Sequence, residues 1–444
     1  MLNADHVILI LCPYLRSLSA FVLLEAYLIL CITVQLRLNA RSLAELPHRK
    51  GSNPAAQPGH AAYWGWAAFA SVAAFWYQLV ISGSGTGDVF FDHALGCNAT
   101  TTLFVGFHFL VVARFEGVTW VSRCQWKNCI RNSYALRMAP RHRPRRVKDK
   151  SGSTTPSRSR FLAKQGFHLL GNFVLLDVLN TIAFKIPFFH PTPSRGARPI
   201  WWRELPLSLL HGGMIYAGLN IMYDAYCILS VALWKTKPAE WPPLFGDVRE
   251  AWTVQRAWGR VWHQLMRNHL SSASSYLLRA CPRRLSTHPC AKKFTQITLA
   301  FTLSGLLHLA GEYHCLHSLR FYAAHDHPPS VSHLTTLRFD GVMATFALQP
   351  LALGIEQMPF LLTCPFFASQ IWKDISPRWN IYVHRIAMGL GYIWVVAWFS
   401  FSMSFYTRSM MGAGFMASRA NIPRGWTVGL VQFITRIFKG ARTV

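Results

Sequence analysis

Apolar runs of about twenty residues recur along the whole chain, separated by polar stretches that carry most of the charge. Eight runs stand out: Ser17–Leu36, Ala61–Ile81, Thr101–Ala113 with extensions on either side, Phe167–Phe189, Leu207–Trp234, Phe294–Ala310, Val342–Leu362 and Ile381–Phe405. A helix of about 20 mostly apolar residues crosses a bilayer. Hydrocarbon offers no partner to an open backbone group, so the spans must be helical. The pattern predicts an all-α polytopic bundle of about eight transmembrane helices, within a range of roughly seven to nine. The shorter run Trp426–Phe438 is a ninth or an interfacial helix, and Val7–Leu15 extends the first span or lies beside it. With no internal repeat, residues 1–444 read as a single membrane domain.

Composition supports this reading. Hydrophobic residues make up 52% and charged residues only 14% of the 444, against about 25% charged in soluble domains. The formal charge of +27 would suggest nucleic-acid binding in a soluble chain. Here the basic residues crowd into loops between apolar runs, as basic cytoplasmic loops do, which argues against a nucleic-acid partner. Arg37, Arg41, Arg49 and Lys50 lie in the first loop, and Arg141, Arg143, Arg145, Arg146, Lys148 and Lys150 in the third. The loop around Asp88 and Asp92 has no basic residue, so the odd loops are assigned to the cytoplasm. Arg195, Arg198, Arg203 and, with eight helices, the basic tail run against that assignment. The segment at about 137–164, rich in Ser, Pro and Arg, is expected to be a disordered loop. Ten cysteines without a CxxC pair suggest neither a disulfide framework nor a zinc finger. No removable signal peptide is expected.

The third of these cytoplasmic loops, after the fifth run and at about 235–293, contains Trp241–Arg267. Wound as a helix, Val254–Arg267 puts Val254, Trp258, Val261, Trp262 and Leu265 on one side. Arg256, Arg260, His263 and Arg267 fall on another. Such a helix should lie in the interface plane, with Trp252, Trp258 and Trp262 at the membrane boundary. Its basic face suits anionic lipid. It equally suits the phosphates of a nucleotide-like co-substrate, because a guanidinium donates in pairs.

In the sixth run, His308 sits within FTLSGLLHLAGE, Phe301–Glu312. An ionisable group there is expensive unless it is partnered, and is a functional candidate by default. Ser304 and Glu312 lie one turn away on the same face. Gly305 and Gly311 allow close approach of a helix or ligand. His308 is either a hydrogen-bonded bridge between helices or a general base, since neutral imidazole can accept a hydroxyl proton at cellular pH. Glu25, Asp177, Asn180, Asp224 and Glu356 read mainly as helix-packing contacts. His314, His317, His325, His327 and His333 crowd the loop that follows without ligand-like spacing, so no metal site is expected. Asn98-Ala99-Thr100 is a formal glycosylation sequon close to a span.

WPPLFGDVREAW (Trp241–Trp252), WGRVWHQ (Trp258–Gln264), SGLLH (Ser304–His308) and, more weakly, ARFEGVTW (Ala113–Trp120) resemble the wax-synthase-like branch of the membrane-bound O-acyltransferase superfamily. The likeness runs nearest to fungal members that acetylate terpenoid or meroterpenoid alcohols. The resemblance implies that His308 matches the catalytic histidine and that His263 stands where many members carry Asn, either polarising the thioester or positioning the acyl chain. It implies transfer without a covalent acyl-enzyme. Acetyl-CoA would be the co-substrate, with no permanently bound cofactor, and Asp247, Arg256, Trp258, Arg260 and Trp262 would be its binding residues. The acceptor would be a hydrophobic alcohol, the surroundings membrane lipid, and the location the endoplasmic reticulum. Two other functions stay open: a wax-ester-forming enzyme using long-chain acyl-CoA, and a transporter with an intramembrane relay, although broken-helix repeats are lacking.

Overall fold

The computed structural model describes residues 4–45, 60–112, 157–185, 201–233, 236–326, 340–367 and 377–412. Among them every regular element is helical. The long helices are α1 (Ala4–Glu45), α2 (His60–Val80), α3 (Val89–Gly106), α4 (Arg158–Lys185), α5 (Trp201–Leu233), α6 (Arg267–Leu278), α7 (Pro289–Asp326), α8 (Asp340–Phe367) and α9 (Pro377–Gly412). Where the residues are described, the eight apolar runs fall almost wholly on helices, the third beginning earlier, in α3, and continuing through the π-helical turn Phe107–Val112. Among the described residues six stretches are long and apolar enough to cross a membrane: Cys12–Gln35, Val89–Val112, Arg158–Ala183, Leu205–Leu233, Pro289–Phe321 and Arg385–Met410. Trp426–Phe438, Ala113–Trp120, residues 137–156 of the loop expected at about 137–164, and Arg195 and Arg198 lie outside the described residues, while the end of that loop, from Arg158 on, is not loop but the first turns of α4.

The outward faces confirm what the helices meet. Phe167 is 77% exposed on α4 and is followed by exposed Leu170, Phe173, Val174 and Val178. On α9, Ile386, Leu390, Ile393 and Val396 are likewise exposed. Apolar side chains in such continuous stripes belong against lipid.

Residue contacts cluster into two compact units. Met1–His142 with Leu265–Pro350 form the first, and Arg143–Gln264 with Leu351–Val444 the second. In the first unit, α1, α2 and α3 enclose a core of Leu24, Leu28, Ile32, Val72, Val80 and Leu110. Thr102 of α3 donates to Glu25 of α1, so that carboxylate is a packing contact between helices. α3 and α7 cross closely through glycine: a Cβ at Gly96 would stand 2.8 Å from the Gly311 Cα. Small residues that let backbones approach are a common basis of helix packing in lipid.

At Gly311 a Cβ would meet Cys97 Sγ at 2.4 Å and the His93 carbonyl at 2.8 Å. Gly311→Ala should therefore force α3 and α7 apart. The expected loss is about 1–3 kcal/mol, as for other overpacked interfaces, seen as a lower unfolding temperature in detergent. An unchanged unfolding temperature would show that the crossing tolerates the methyl group.

In the second unit, α4 and α5 pack side by side. Asp224 of α5 accepts from Gln165 at 3.1 Å and pairs with His168 Nδ1 at 2.7 Å, both on α4. His211 of α5 meets Thr407 of α9 at 3.2 Å. These polar contacts join the helices, as the sequence pattern suggested for most intramembrane carboxylates.

Candidate functional site

Two sets of side chains carry the candidate chemistry, one in each unit. In the first unit, α7 holds His308 and α3 presents His93 and Cys97. Spaced by four residues, His93 and Cys97 share one helix face. Cys97 Sγ lies 3.6 Å from His93 Nε2 and 3.8 Å from His308 Nδ1, so one thiol bridges two imidazoles. Phe346 of α8 stacks on the His308 ring, with centroids 4.9 Å apart and planes 13° apart. Gly305 leaves the room for this: a Cβ there would come within 3.0 Å of Met343 Sδ and 3.2 Å of Phe346 Cβ. His308 thus points into the unit, among packed helices, and keeps partial exposure. His93 is buried and Cys97 half-buried. Ring stacking fixes the imidazole plane, and the thiol fixes which nitrogen faces α3.

Other histidines of the same stretch have structural partners. His314 Nδ1 meets the Val80 carbonyl at 2.9 Å and His317 Nδ1 meets the Gly83 carbonyl at 3.2 Å. They anchor the turn before α3, where Asp92 accepts from the Thr86 and Gly87 backbone amides. Asn98 of the sequon lies inside α3, half-buried, with its amide bonded to the Ala94 carbonyl at 2.8 Å. Among the described residues, His93, Cys97 and His308 are the group whose donor atoms converge as metal ligands do.

The motif segment of the second unit folds differently from the expected interfacial helix. Instead of one helix over Val254–Arg267, a single turn Val254–Arg256 runs into a π-helical turn, Ala257–Val261. Trp262 is then extended, with φ −64° and ψ 152°, and Arg267 opens the separate α6. Three contacts outweigh the helical periodicity. The Gly246 amide donates to the Val261 carbonyl at 2.8 Å. That approach requires glycine, since a Cβ at Gly246 would lie 2.0 Å from the Arg260 carbonyl oxygen. Gln264 Nε2 donates to the Trp258 and Trp262 carbonyls at 2.9 and 2.7 Å, ending the turn. Non-α turns of this kind are frequent at functional sites.

The expected binding residues therefore have specific positions. Arg256 and Arg260 still lie one turn apart and converge on one carboxylate, with each guanidinium 3.0 Å from Glu250 Oε2. Arg256 also lies 4.6 Å over the Trp252 ring. Two guanidiniums against one carboxylate leave a net positive charge, and Arg260 is 58% exposed. Asp247 has another job. It accepts from the Arg249 amide at 2.9 Å, capping a short turn, and pairs with the Arg249 guanidinium at 2.8 Å. Those bonds hold its carboxyl below the usual carboxylate range. Trp258 packs on Trp262 and on Phe399 of α9, at 6.1 and 5.6 Å between centroids.

His263 is set apart from the arginines by the extended Trp262. Its ring lies 5.9 Å from Phe245 and 5.5 Å from Trp262. Nδ1 is buried without a hydrogen-bond partner among the described residues. Burial pushes its pKa down to about 4, so the imidazole is neutral at cellular pH. A neutral imidazole donates one N–H, and can act as an electrophile rather than as an acid.

Glu356 of α8 holds this segment from below. Its carboxylate accepts from the Val254 and Gln255 amides and from Trp394 Nε1 at 2.9 Å. Glu356→Gln would turn one of those acceptors into a donor facing a donor. An expected loss of about 1–3 kcal/mol follows from a buried group left unpaired. It should show as a lower unfolding temperature in detergent. An unchanged unfolding temperature would show that Glu356 does not brace this segment.

Sequence reasoning singled out His308, His263 and the arginines but missed His93, Cys97, Phe346, Glu250 and Phe245. The spacing of His93 and Cys97 was visible, yet a His and a Cys four apart in an apolar helix are common packing residues.

Residues 241–324 match the model of the membrane bound O-acyl transferase family, a stretch that contains both the motif segment and SGLLH. The acetyltransferase eriL of Hericium erinaceus is 25% identical over 305 residues, 67% of this chain and 70% of that protein. The acetyltransferase aurG of Calcarisporium arbuscula is 26% identical over 269 residues, 56% of this chain and 57% of its own length. The O-Mevalon transferase macI of Penicillium terrestre is 32% identical over 123 residues, 27% of this chain and 25% of its own. No solved structure matches the chain.

Proposed function

We propose that the chain is a membrane-bound O-acyltransferase, a reading supported by the family-model match over residues 241–324 and by the likeness to fungal acetyltransferases, and that it moves the acetyl group of acetyl-CoA to a hydroxyl of a hydrophobic secondary metabolite. The acceptor is a terpenoid or meroterpenoid alcohol, and the enzyme works in the endoplasmic reticulum membrane. The observation that carries the reading is His308: an imidazole held among packed helices by Phe346 and Cys97 while keeping partial exposure. Its positioning suits a general base.

In this mechanism the acceptor hydroxyl gives its proton to His308 as its oxygen attacks the thioester carbonyl carbon. The C–S bond breaks, and the sulfur leaves as the thiol of coenzyme A after taking up that proton. His263, held neutral by burial and with an Nδ1 that has no hydrogen-bond partner among the described residues, offers an N–H of the kind that suits a developing oxyanion on the thioester oxygen. Arg256 and Arg260 supply the positive charge for coenzyme A phosphates, and Glu250 keeps both guanidiniums in place between turnovers. Trp258 and Trp262 supply apolar area beside them. An apolar alcohol partitions into lipid while the donor stays in water, which is why the reaction calls for a membrane enzyme.

The acetyl group is tested by offering acetyl-CoA and long-chain acyl-CoA to the same membranes with one terpenoid alcohol. Acetyl-CoA should be preferred by at least roughly tenfold in kcat/KM, a modest discrimination for an acyl pocket. Preference for the long chain would make the enzyme a wax-ester synthase.

A further inference from the structure

The side chains around His308 have a chemistry that proton transfer does not use. His93, Cys97 and His308 bring an imidazole, a thiol and a second imidazole together, with donor atoms all within 4.8 Å of one another. The two sulfur–nitrogen separations are 3.6 and 3.8 Å. A tetrahedral zinc with Zn–S about 2.3 Å and Zn–N about 2.0–2.1 Å has a sulfur–nitrogen edge of roughly 3.6 Å. The two sulfur–nitrogen separations therefore match two edges of such a site, and the third, between the imidazole nitrogens, lies within 4.8 Å. Two imidazoles and a thiolate form a soft to borderline donor set, which selects zinc, cadmium or copper(I) over calcium or magnesium. Rigidity favours the site as well. His93 and Cys97 are fixed by their spacing on α3, the Gly96–Gly311 crossing holds α3 against α7, and Phe346 stacks on the His308 ring. Partial exposure at Cys97 and His308 leaves a side through which an ion and a fourth ligand can enter.

We propose that His93, Cys97 and His308 form a binding site for a thiophilic cation, zinc above all, and that its occupation withdraws His308 from proton transfer. Binding displaces the proton of the Cys97 thiol to solvent, and the ion takes the imidazole lone pairs. A ligated His308 nitrogen can no longer face a hydroxyl as base. Zinc is then a reversible inhibitor that competes with catalysis, and a chelator restores the rate. The inhibitory consequence rests on the acyltransferase reading of His308; the binding does not.

Cadmium gives a direct readout, because a cadmium–thiolate bond absorbs in the ultraviolet through charge transfer. Purified full-length protein in detergent is titrated with cadmium alone, as wild type, Cys97→Ser and His93→Gln. Wild type should show a saturable thiolate band that Cys97→Ser lacks, leaving only what the other cysteines contribute. His93→Gln should bind about tenfold or more weakly, since even outer-shell partners of a metal ligand matter by 10–100-fold. In membranes, zinc inhibition is compared at each variant's own zinc-free rate and should weaken in both variants. The absence of a Cys97-dependent band would overturn the site, and equal zinc sensitivity in all three proteins would overturn its role. Loss of wild-type activity on chelation would overturn the opposition between ion and base. A Cys97-dependent band in a protein that acetylates no alcohol would support the site while refuting the acyltransferase reading.

Discussion

Replacing His308 with alanine should lower acetylation by about 10²–10⁴-fold, the range over which a positioned general base acts. The loss should fall on kcat, with the KM for acetyl-CoA little changed, because the proton moves only in the transition state. Alanine leaves Cys97, His93 and the Phe346 ring in place but removes the half-buried imidazole that they position. His308→Gln makes the same test with less disturbance of packing, since the amide fills the site and hydrogen-bonds but takes up no proton. Labelled acetyl-CoA and membranes from cells expressing each variant are sufficient. Turnover above about a tenth of wild type, where a loss of at least about 10²-fold is expected, would remove His308 from the role of base.

The second large effect is expected at His263. Removing one donor to a developing oxyanion typically lowers kcat by about 10²–10³-fold, and His263→Leu should show that loss. His263→Asn should recover part of it, because the amide restores an N–H donor. The pH profile separates this role from proton transfer. With its pKa pushed down to about 4, His263 stays neutral from pH 5 upward and adds no limb to the rate profile. The same burial has a stability consequence. The folded value of about 4 lies below the unfolded value of about 6.5, so between them the unfolded chain binds the extra proton and stability rises with pH. The contribution is complete above about pH 6.5 and is lost as pH falls toward 4, by up to about 3 kcal/mol. His263→Leu should therefore flatten acid unfolding over that window. Equal acid sensitivity in both proteins would mean that His263 is not held neutral.

The helices were legible because hydrophobic length is a strong signal that tertiary contacts rarely reverse. Phe294–Ala310 widened into Pro289–Asp326 and Thr101–Ala113 into a span beginning at Val89, since polar residues such as Asp92 and His314 find partners inside the fold and need not end a helix. His308 was legible for the opposite reason, as a polar group that an apolar helix keeps only with partners. The motif segment was misread. Its amphipathic period is real, and Arg256 and Arg260 do share a face. Yet Gly246, Gln264 and the Glu356 carboxylate impose a turn that no local propensity announces. His93 and Cys97 lay in a stretch informative only in hydropathy, and their meaning came from α7, more than two hundred residues later in the chain.

Acceptor-dependent release of the coenzyme A thiol, measured together with the mass of the alcohol product, tests acyl transfer most directly. Membranes given acetyl-CoA and a terpenoid alcohol should release one thiol for each product molecule heavier by an acetyl group, and His308→Ala membranes should release thiol only at background. Movement of the alcohol across the membrane without thiol release, or thiol release that persists undiminished in His308→Ala, would contradict an acetyl transfer driven by that imidazole.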